Sequence, residues 1–174
     1  MKKIRVAING FGRIGRMTAR ILMKKQNIEL VAINDLTDNH TLAHLFKYDS
    51  IHRRFDGEVS SDEKHLIING IKIQSLAERD PLKLPWKALN IDVVLECTGI
   101  FTDKAGATLH LTAGARKVIL SAPAKGKEQV KTIVLGVNDD QITAEDTILS
   151  NASCTTNNAA PMLKILDELW GIES

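Results

Sequence analysis

The sequence predicts an α/β fold built on a mainly parallel sheet. Short apolar, strand-like runs alternate with segments of helical period along most of the 174 residues. A glycine-rich turn joins the first such run to the first helical segment. Near the middle the alternation is interrupted by two apolar runs flanking Asn69-Gly70, a pair that supplies the positive φ values of a type I′ turn.

Taken in order, residues 4–8 read as the first strand. Ile14, Met17, Ile21 and Leu22 then repeat at helical spacing and end in Lys24-Lys25, charges that suit a helix C-terminus. Residues 30–33 are the second strand, and 41–48 a short helix with Leu42, Leu45 and Phe46 on one face. Residues 58–76 form an antiparallel hairpin insertion, with 66–68 and 71–73 as its strands, decorating the parallel sheet. The parallel pattern resumes at 93–97, followed by a helix over 103–115 and a strand at 118–120. Two last strands, 133–135 and 147–149, lead to the stretch SNASCTTNN (150–158), and 159–169 are helical beyond it. No repeat, low-complexity tract or Gly/Ser linker divides the chain.

Composition narrows the class. Hydrophobic residues are 44% and charged residues 25%, values of soluble globular proteins. No apolar run approaches the ~20 residues of a membrane span, and the N-terminal MKKIRVAING is too short in its apolar part for a signal peptide. The expectation is a cytoplasmic protein with no membrane partner. With 23 basic and 21 acidic residues interspersed, the chain lacks the basic stripe of a nucleic-acid binder. Cys97 and Cys154 fit neither a zinc spacing nor a disulfide framework, and His40 and His44, although i, i+4, lack the glutamate of a zinc-protease motif. No metal is expected.

The first turn, Asn9-Gly10-Phe11-Gly12-Arg13-Ile14-Gly15, contains G-x-G-x-x-G between a strand and a helix, the context that gives this weak pattern meaning. Gly10 permits the tight turn, Gly12 lets a pyrophosphate approach the backbone, and Gly15 lets helix and strand pack closely. Asp35, twenty residues after Gly15 at the end of the second strand, suits a carboxylate accepting from ribose hydroxyls. A 2′-phosphate would meet like charge there, and Leu36-Thr37 offer no cation, so NAD is favoured over NADP. The fold becomes a Rossmann-like, doubly wound, mainly parallel sheet with the antiparallel hairpin inserted.

The sequence closely resembles the N-terminal half of the glyceraldehyde-3-phosphate dehydrogenase family. The likeness is carried by INGFGRIGR (8–16), NDLTD (34–38), HLFKYDS (44–50), ERDP (78–81), ECTGIF (96–101), LSAPAKG (120–126), GVN (136–138) and SNASCTTN (150–157). The resemblance implies that Asn9, Gly10, Phe11, Gly12, Arg13 and Ile14 cradle the NAD diphosphate. It implies that Asn34 and Asp35 hold the adenosine end, with Arg79 beside the adenine. Thr98, Gly99 and Phe101 would line the path to the nicotinamide, with Ser121 and Ala122 below it. Cys154 matches the family nucleophile, and Ser153 and Thr155 match positions that bind inorganic phosphate or the substrate phosphate.

Two departures stand out: Arg53 replaces a usual glycine, and Asn158 replaces a cysteine found in many members. Residues 1–153 are then the NAD-binding domain and 154–174 the start of the catalytic domain, whose helix, beginning near Thr155, favours the thiolate at its positive end. The family's base, a histidine, falls beyond the residues present. The implied partners are glyceraldehyde 3-phosphate, inorganic phosphate and further copies of the chain in a homo-oligomer. The chain by itself is expected to bind NAD without turnover; a stand-alone dinucleotide-binding module is the alternative. Cys97, Trp86 and Trp170 are expected to serve packing, and His110 to take no catalytic part.

Overall fold

The structure, a computed structural model, describes residues 2–173. The first half runs β1 (Ile4–Asn9), α1 (Arg13–Leu22), β2 (Ile28–Asn34), α2 (Asn39–Lys47), β3 (Val59–Ser61), β4 (His65–Ile68) and β5 (Ile71–Leu76). The second half runs β6 (Val93–Glu96), α3 (Lys104–Thr112), β7 (Lys117–Leu120), β8 (Lys131–Thr132), β9 (Ile148–Ser150) and α4 (Cys154–Trp170). All nine strands share one sheet, ordered β3-β4-β5-β2-β1-β6-β7-β9-β8. From β5 to β8 every pairing is parallel; β3, β4 and β5 pair antiparallel. The stretch β5-β2-β1-β6-β7-β9 is the doubly wound arrangement of a dinucleotide-binding fold.

Strand alternation builds two apolar layers. Ile8 and Ile33 point to one face, where Phe11, Ala19, Leu42 and Phe46 from α1, α2 and the first turn cover them. Ala7 and Ala32 point to the other, in one cluster with Val94 and Leu120 of the neighbouring strands and with Trp86 and Ala107. Each large side chain removed from water in this way contributes ~1.5–3 kcal/mol. The helices are bounded by local chemistry. Asp38 caps α2 by accepting from the Thr41 amide at 2.9 Å, and Asp103 caps α3 through the Gly106 amide at 2.7 Å. After α3, Gly114 takes φ +107°, where a Cβ would stand 2.4–2.7 Å from Lys87, so the helix stops short of residue 115.

Three features differ from the sequence reading. The hairpin is no decoration: Asn69 and Gly70 make its turn with φ of 49° and 78°, but β5 also pairs with β2 and serves as the third parallel strand. The strand read at 133–135 lies two residues earlier, as β8. Asn138 accepts from the Val134 amide at 2.8 Å and Gly136 takes φ +80°, which pulls the chain out of the sheet. The last helix starts at Cys154, within a residue of the start near Thr155 that the resemblance implies and ahead of the apolar repeat read from 159, and it runs through Pro161.

No residue of α4 is buried, and Leu163, Ile165, Leu169 and Trp170 are all more than half exposed. Asn157 Nδ2 holds its first turn by donating to the Asn151 carbonyl at 2.7 Å. Among the described residues no helix is long and apolar enough to cross a membrane. Arg53 adopts φ +64°, the left-handed region where glycine is at ease, and its carbonyl accepts from the buried Arg20 guanidinium at 3.1 Å.

Candidate functional site

The winding reverses between β2 and β6 on either side of β1, and ligands of such sheets bind outside the strand C-termini at that point. The first turn is shaped for close approach. Gly10 takes φ +89°, and a Cβ there would lie 2.7–2.9 Å from backbone atoms of Cys97 and Thr98. At Gly15 a Cβ would lie 2.1 Å from the Gly10 carbonyl oxygen. Gly12 is the opposite case, with nothing within 4 Å of its Cβ direction. Among the described helices, α2, α3 and α4 carry the side-chain caps Asp38, Asp103 and Ser153, whereas α1 starts from Gly12 with none. The first amides of a helix have no partner within it, so those of α1 are left for an anion.

A cleft of about 620 Å³ opens over this turn. Its floor is Asn9, Gly10 and Gly12; one wall is Asn34, Asp35, Leu36, Glu78 and Arg79; the other is Cys97, Thr98, Ile100 and Phe101. That volume and apolar-with-polar lining suit a bound small molecule. Asp35 is fixed from both oxygens, Oδ2 accepting from the Phe11 amide at 2.8 Å and Oδ1 from the Thr37 amide at 3.0 Å. The open space beside Gly12, the uncapped amides and the anchored Asp35 fit the diphosphate and ribose of NAD.

Several residues sit differently from the sequence expectation. The Phe11 ring is fully buried, stacked on Phe46 with centroids 6.0 Å apart, and its amide is taken by Asp35, leaving neither for a diphosphate. The Asn9 side chain is buried, donating to Glu96 and accepting from Asn34. The Arg13 and Ile14 side chains are exposed, so what these residues offer the cleft is their amides at the start of α1; Gly99 is exposed too, and neither it nor Ser121 and Ala122 lines the cleft. Leu36, Glu78, Ile100 and Cys97 do, and sequence reasoning gave the first three no such place. Leu36 and Ile100, more than half exposed apolar side chains inside recognisable motifs, were the available signal. His40 and His44 are exposed on α2, and His44 packs on Tyr48.

A buried polar cluster lies beneath the cleft. Glu96 Oε2 accepts from Asn9 Nδ2 at 2.6 Å and lies 3.0 Å from His110 Nε2. Its Oε1 accepts from the Thr98 amide at 2.7 Å and from the Thr98 hydroxyl. Trp86, fully buried, donates its indole N–H to His110 Nδ1 at 3.0 Å.

The nucleophile candidate occupies the next strand-to-helix turn but one. Ser150 is buried, donates to the Ala122 carbonyl at 2.9 Å and accepts from the Ala152 amide at 3.2 Å. Ala152 is buried at φ +57°, a region costly for a residue with a Cβ. Ser153 caps α4 by accepting from the Thr156 amide at 2.9 Å. Cys154 is the first residue of that helix and is exposed, as is Thr155. Cys97 is the contrasting thiol: half-buried against the core, with burial pushing it up to about 11. All five histidines are accounted for elsewhere. His40, His44, His52 and His65 belong to α2, the loop after it and β4, at the opposite edge of the sheet, and His110 is committed inside the core.

A larger depression, about 780 Å³, lies by β8, β9 and the loop at 124–130. Its Lys131 is held by Asp146 at 2.6 Å and its Lys104 faces Glu128 at 3.4 Å, so the chemistry points to the smaller cleft.

Fold and cleft together define a dinucleotide-binding domain of the Rossmann class. The family model for "Glyceraldehyde 3-phosphate dehydrogenase, NAD binding domain" matches residues 4–104, more than half of the chain, which belongs to that family and has NAD as its cofactor. Glyceraldehyde-3-phosphate dehydrogenase of Thermotoga maritima is 57% identical over 172 residues, 98% of this chain and 51% of the relative. Glyceraldehyde-3-phosphate dehydrogenase 2 of Bacillus subtilis is 56% identical over 173 residues, 99% of this chain and 50% of the relative. The enzyme of Clostridium pasteurianum is 54% identical over 169 residues, 97% and 50% respectively. The chain thus spans about half the length of the curated relatives it matches.

Proposed function

We propose that this chain is the cofactor-binding portion of a phosphorylating glyceraldehyde-3-phosphate dehydrogenase, with Cys154 as its nucleophile and residues 154–174 the start of the catalytic part. The observation that carries the reading is the pairing, on one edge of one sheet, of an uncapped glycine turn under the cleft with an exposed cysteine at the first position of a capped helix. In the reaction so assigned, the Cys154 thiolate adds to the aldehyde carbon of glyceraldehyde 3-phosphate to give a hemithioacetal. Bound NAD supplies the hydride acceptor. Loss of hydride leaves a thioester on Cys154, and inorganic phosphate attacks its carbonyl, expelling the thiolate and forming the acyl phosphate. Covalent catalysis divides one hard oxidation into two easier steps.

In this assignment, the open side of Gly12 and the α1 amides take the diphosphate, and Asp35 takes the adenosine ribose. Arg79 borders the adenine end, and Thr98 and Phe101 border the path to the nicotinamide. Ser153 and Thr155, beside Cys154, take a phosphate oxygen. The chain on its own binds NAD; with four of its five histidines toward the far side of the sheet and His110 committed to Glu96 and Trp86, it turns over no substrate. Calorimetry with NAD and NADH absorbance with glyceraldehyde 3-phosphate and phosphate test both halves. Saturable NAD binding without sustained NADH production is the expected pair of results. Absence of NAD binding refutes the first half and steady NADH production refutes the second.

A further inference from the structure

We propose that His110 is a positioning residue for the dinucleotide cleft, acting through Glu96 on Thr98; this rests on the cleft being the NAD site. The contacts are continuous. Trp86 donates its indole N–H to His110 Nδ1 at 3.0 Å, so that nitrogen carries no proton and Nε2 bears the one the neutral ring has. The Nε2–H faces Glu96 Oε2 at 3.0 Å, and both side chains of this pair are fully buried. The other Glu96 oxygen holds the amide and hydroxyl of Thr98, and Thr98 Oγ1 accepts from the Ile100 amide at 3.0 Å. Thr98 and Ile100 both face the cleft.

The opposite wall is tied to the same carboxylate. Asn9 Nδ2 donates to Glu96 at 2.6 Å, and Asn9 Oδ1 accepts from Asn34 Nδ2 at 2.7 Å. Asn34 in turn accepts from the Glu78 amide at 2.9 Å and donates to the Glu78 carbonyl at 2.8 Å. One buried carboxylate therefore sets the spacing between the walls. A carboxylate in a core is tolerated only when its oxygens are satisfied, and the same low dielectric strengthens each bond it makes. His110 supplies one of its four donors and Trp86 fixes which ring nitrogen supplies it. A histidine present for volume alone would not need both nitrogens engaged.

The test separates volume from donation in the 174-residue chain. His110→Gln keeps an N–H donor for Glu96 and removes the acceptor from the Nδ1 position that Trp86 uses; His110→Phe keeps a ring and has neither donor nor acceptor. Urea unfolding, NAD calorimetry and amide hydrogen exchange are measured on each. Both variants are expected to lose stability. NAD binding weakens about tenfold in His110→Phe only, the scale of one hydrogen bond to a charged group. Thr98 and Ile100 amides exchange faster in that variant and not in His110→Gln. Unchanged NAD affinity in His110→Phe, or equal losses in both variants in step with stability, overturns the proposal. If His110→Phe does not fold, exchange in the unmodified chain decides. A Thr98 amide as protected as those of β6 supports the proposal, and loop-like exchange overturns it. If the unmodified chain binds no NAD, the cleft reading itself fails and this proposal falls with it.

Discussion

The β1–α1 and β9–α4 turns leave the same edge of one sheet and treat their helix N-termini in opposite ways. The first is made of glycines, with Gly10 pressed against the backbone at 97–98 and Gly12 open, has no side-chain cap, and keeps its Phe11 ring in the core. The second spends a left-handed alanine and a serine cap to hold Cys154 out in solvent. In the proposed assignment, the turn that would receive an anion withdraws its side chains and leaves its amides bare. The turn that would deliver a nucleophile fixes its own backbone and projects one side chain.

Each turn has a cysteine beside it, and these should differ most. With Cys97 pushed up to about 11, roughly one thiol in a thousand is ionised at pH 8. Iodoacetamide at that pH should modify Cys154 at least a hundredfold faster, with peptide mapping as the readout. Earlier modification of Cys97 would remove the contrast.

Gly10→Ala should cost about 3 kcal/mol in urea unfolding, because its methyl meets backbone at 2.7–2.9 Å and its φ is +89°. The Cys97 thiol gives the next effect. Its folded value lies above the unfolded one, so the stabilisation from keeping it neutral is complete below about pH 8.5 and is lost as pH rises to about 11. Unfolding free energies should fall by about 2 kcal/mol across that window, and Cys97→Ser should flatten the slope. The smallest effect is at the second turn. Ala152→Gly, at φ +57°, should stabilise by less than about 1 kcal/mol, since relief of strain is partly offset by unfolded-state entropy. A clear loss of stability there would deny that the alanine is strained.

How much of this was legible in the sequence follows from the range of each interaction. The glycine turn and the Asn69-Gly70 hairpin were readable because their φ requirements are written in adjacent residues. That β5 doubles as a parallel strand was not, since its pairing with β2 is settled by tertiary packing. The cluster under the cleft was invisible for the same reason: Asn9 and Glu96 are 87 residues apart, and Trp86 and His110 are 24 apart. Phe11 carried a misleading signal, being inside the phosphate-binding motif yet turned into the core. Ala152 carried none, because nothing in its residue type announces a left-handed backbone. At Arg53 the family's usual glycine was a signal for the positive φ that the structure has, one that the sequence reading left undrawn.

The central claim, that the bare N-terminus of α1 under the cleft holds the cofactor, is tested most directly by NAD calorimetry on Gly12→Ala. No atom lies within 4 Å of the added methyl, so unfolding should change by less than about 0.5 kcal/mol. NAD affinity should fall at least tenfold, because the methyl stands where the diphosphate approaches the backbone. Affinity equal to that of the unmodified chain, in a variant that folds as well, would contradict the account.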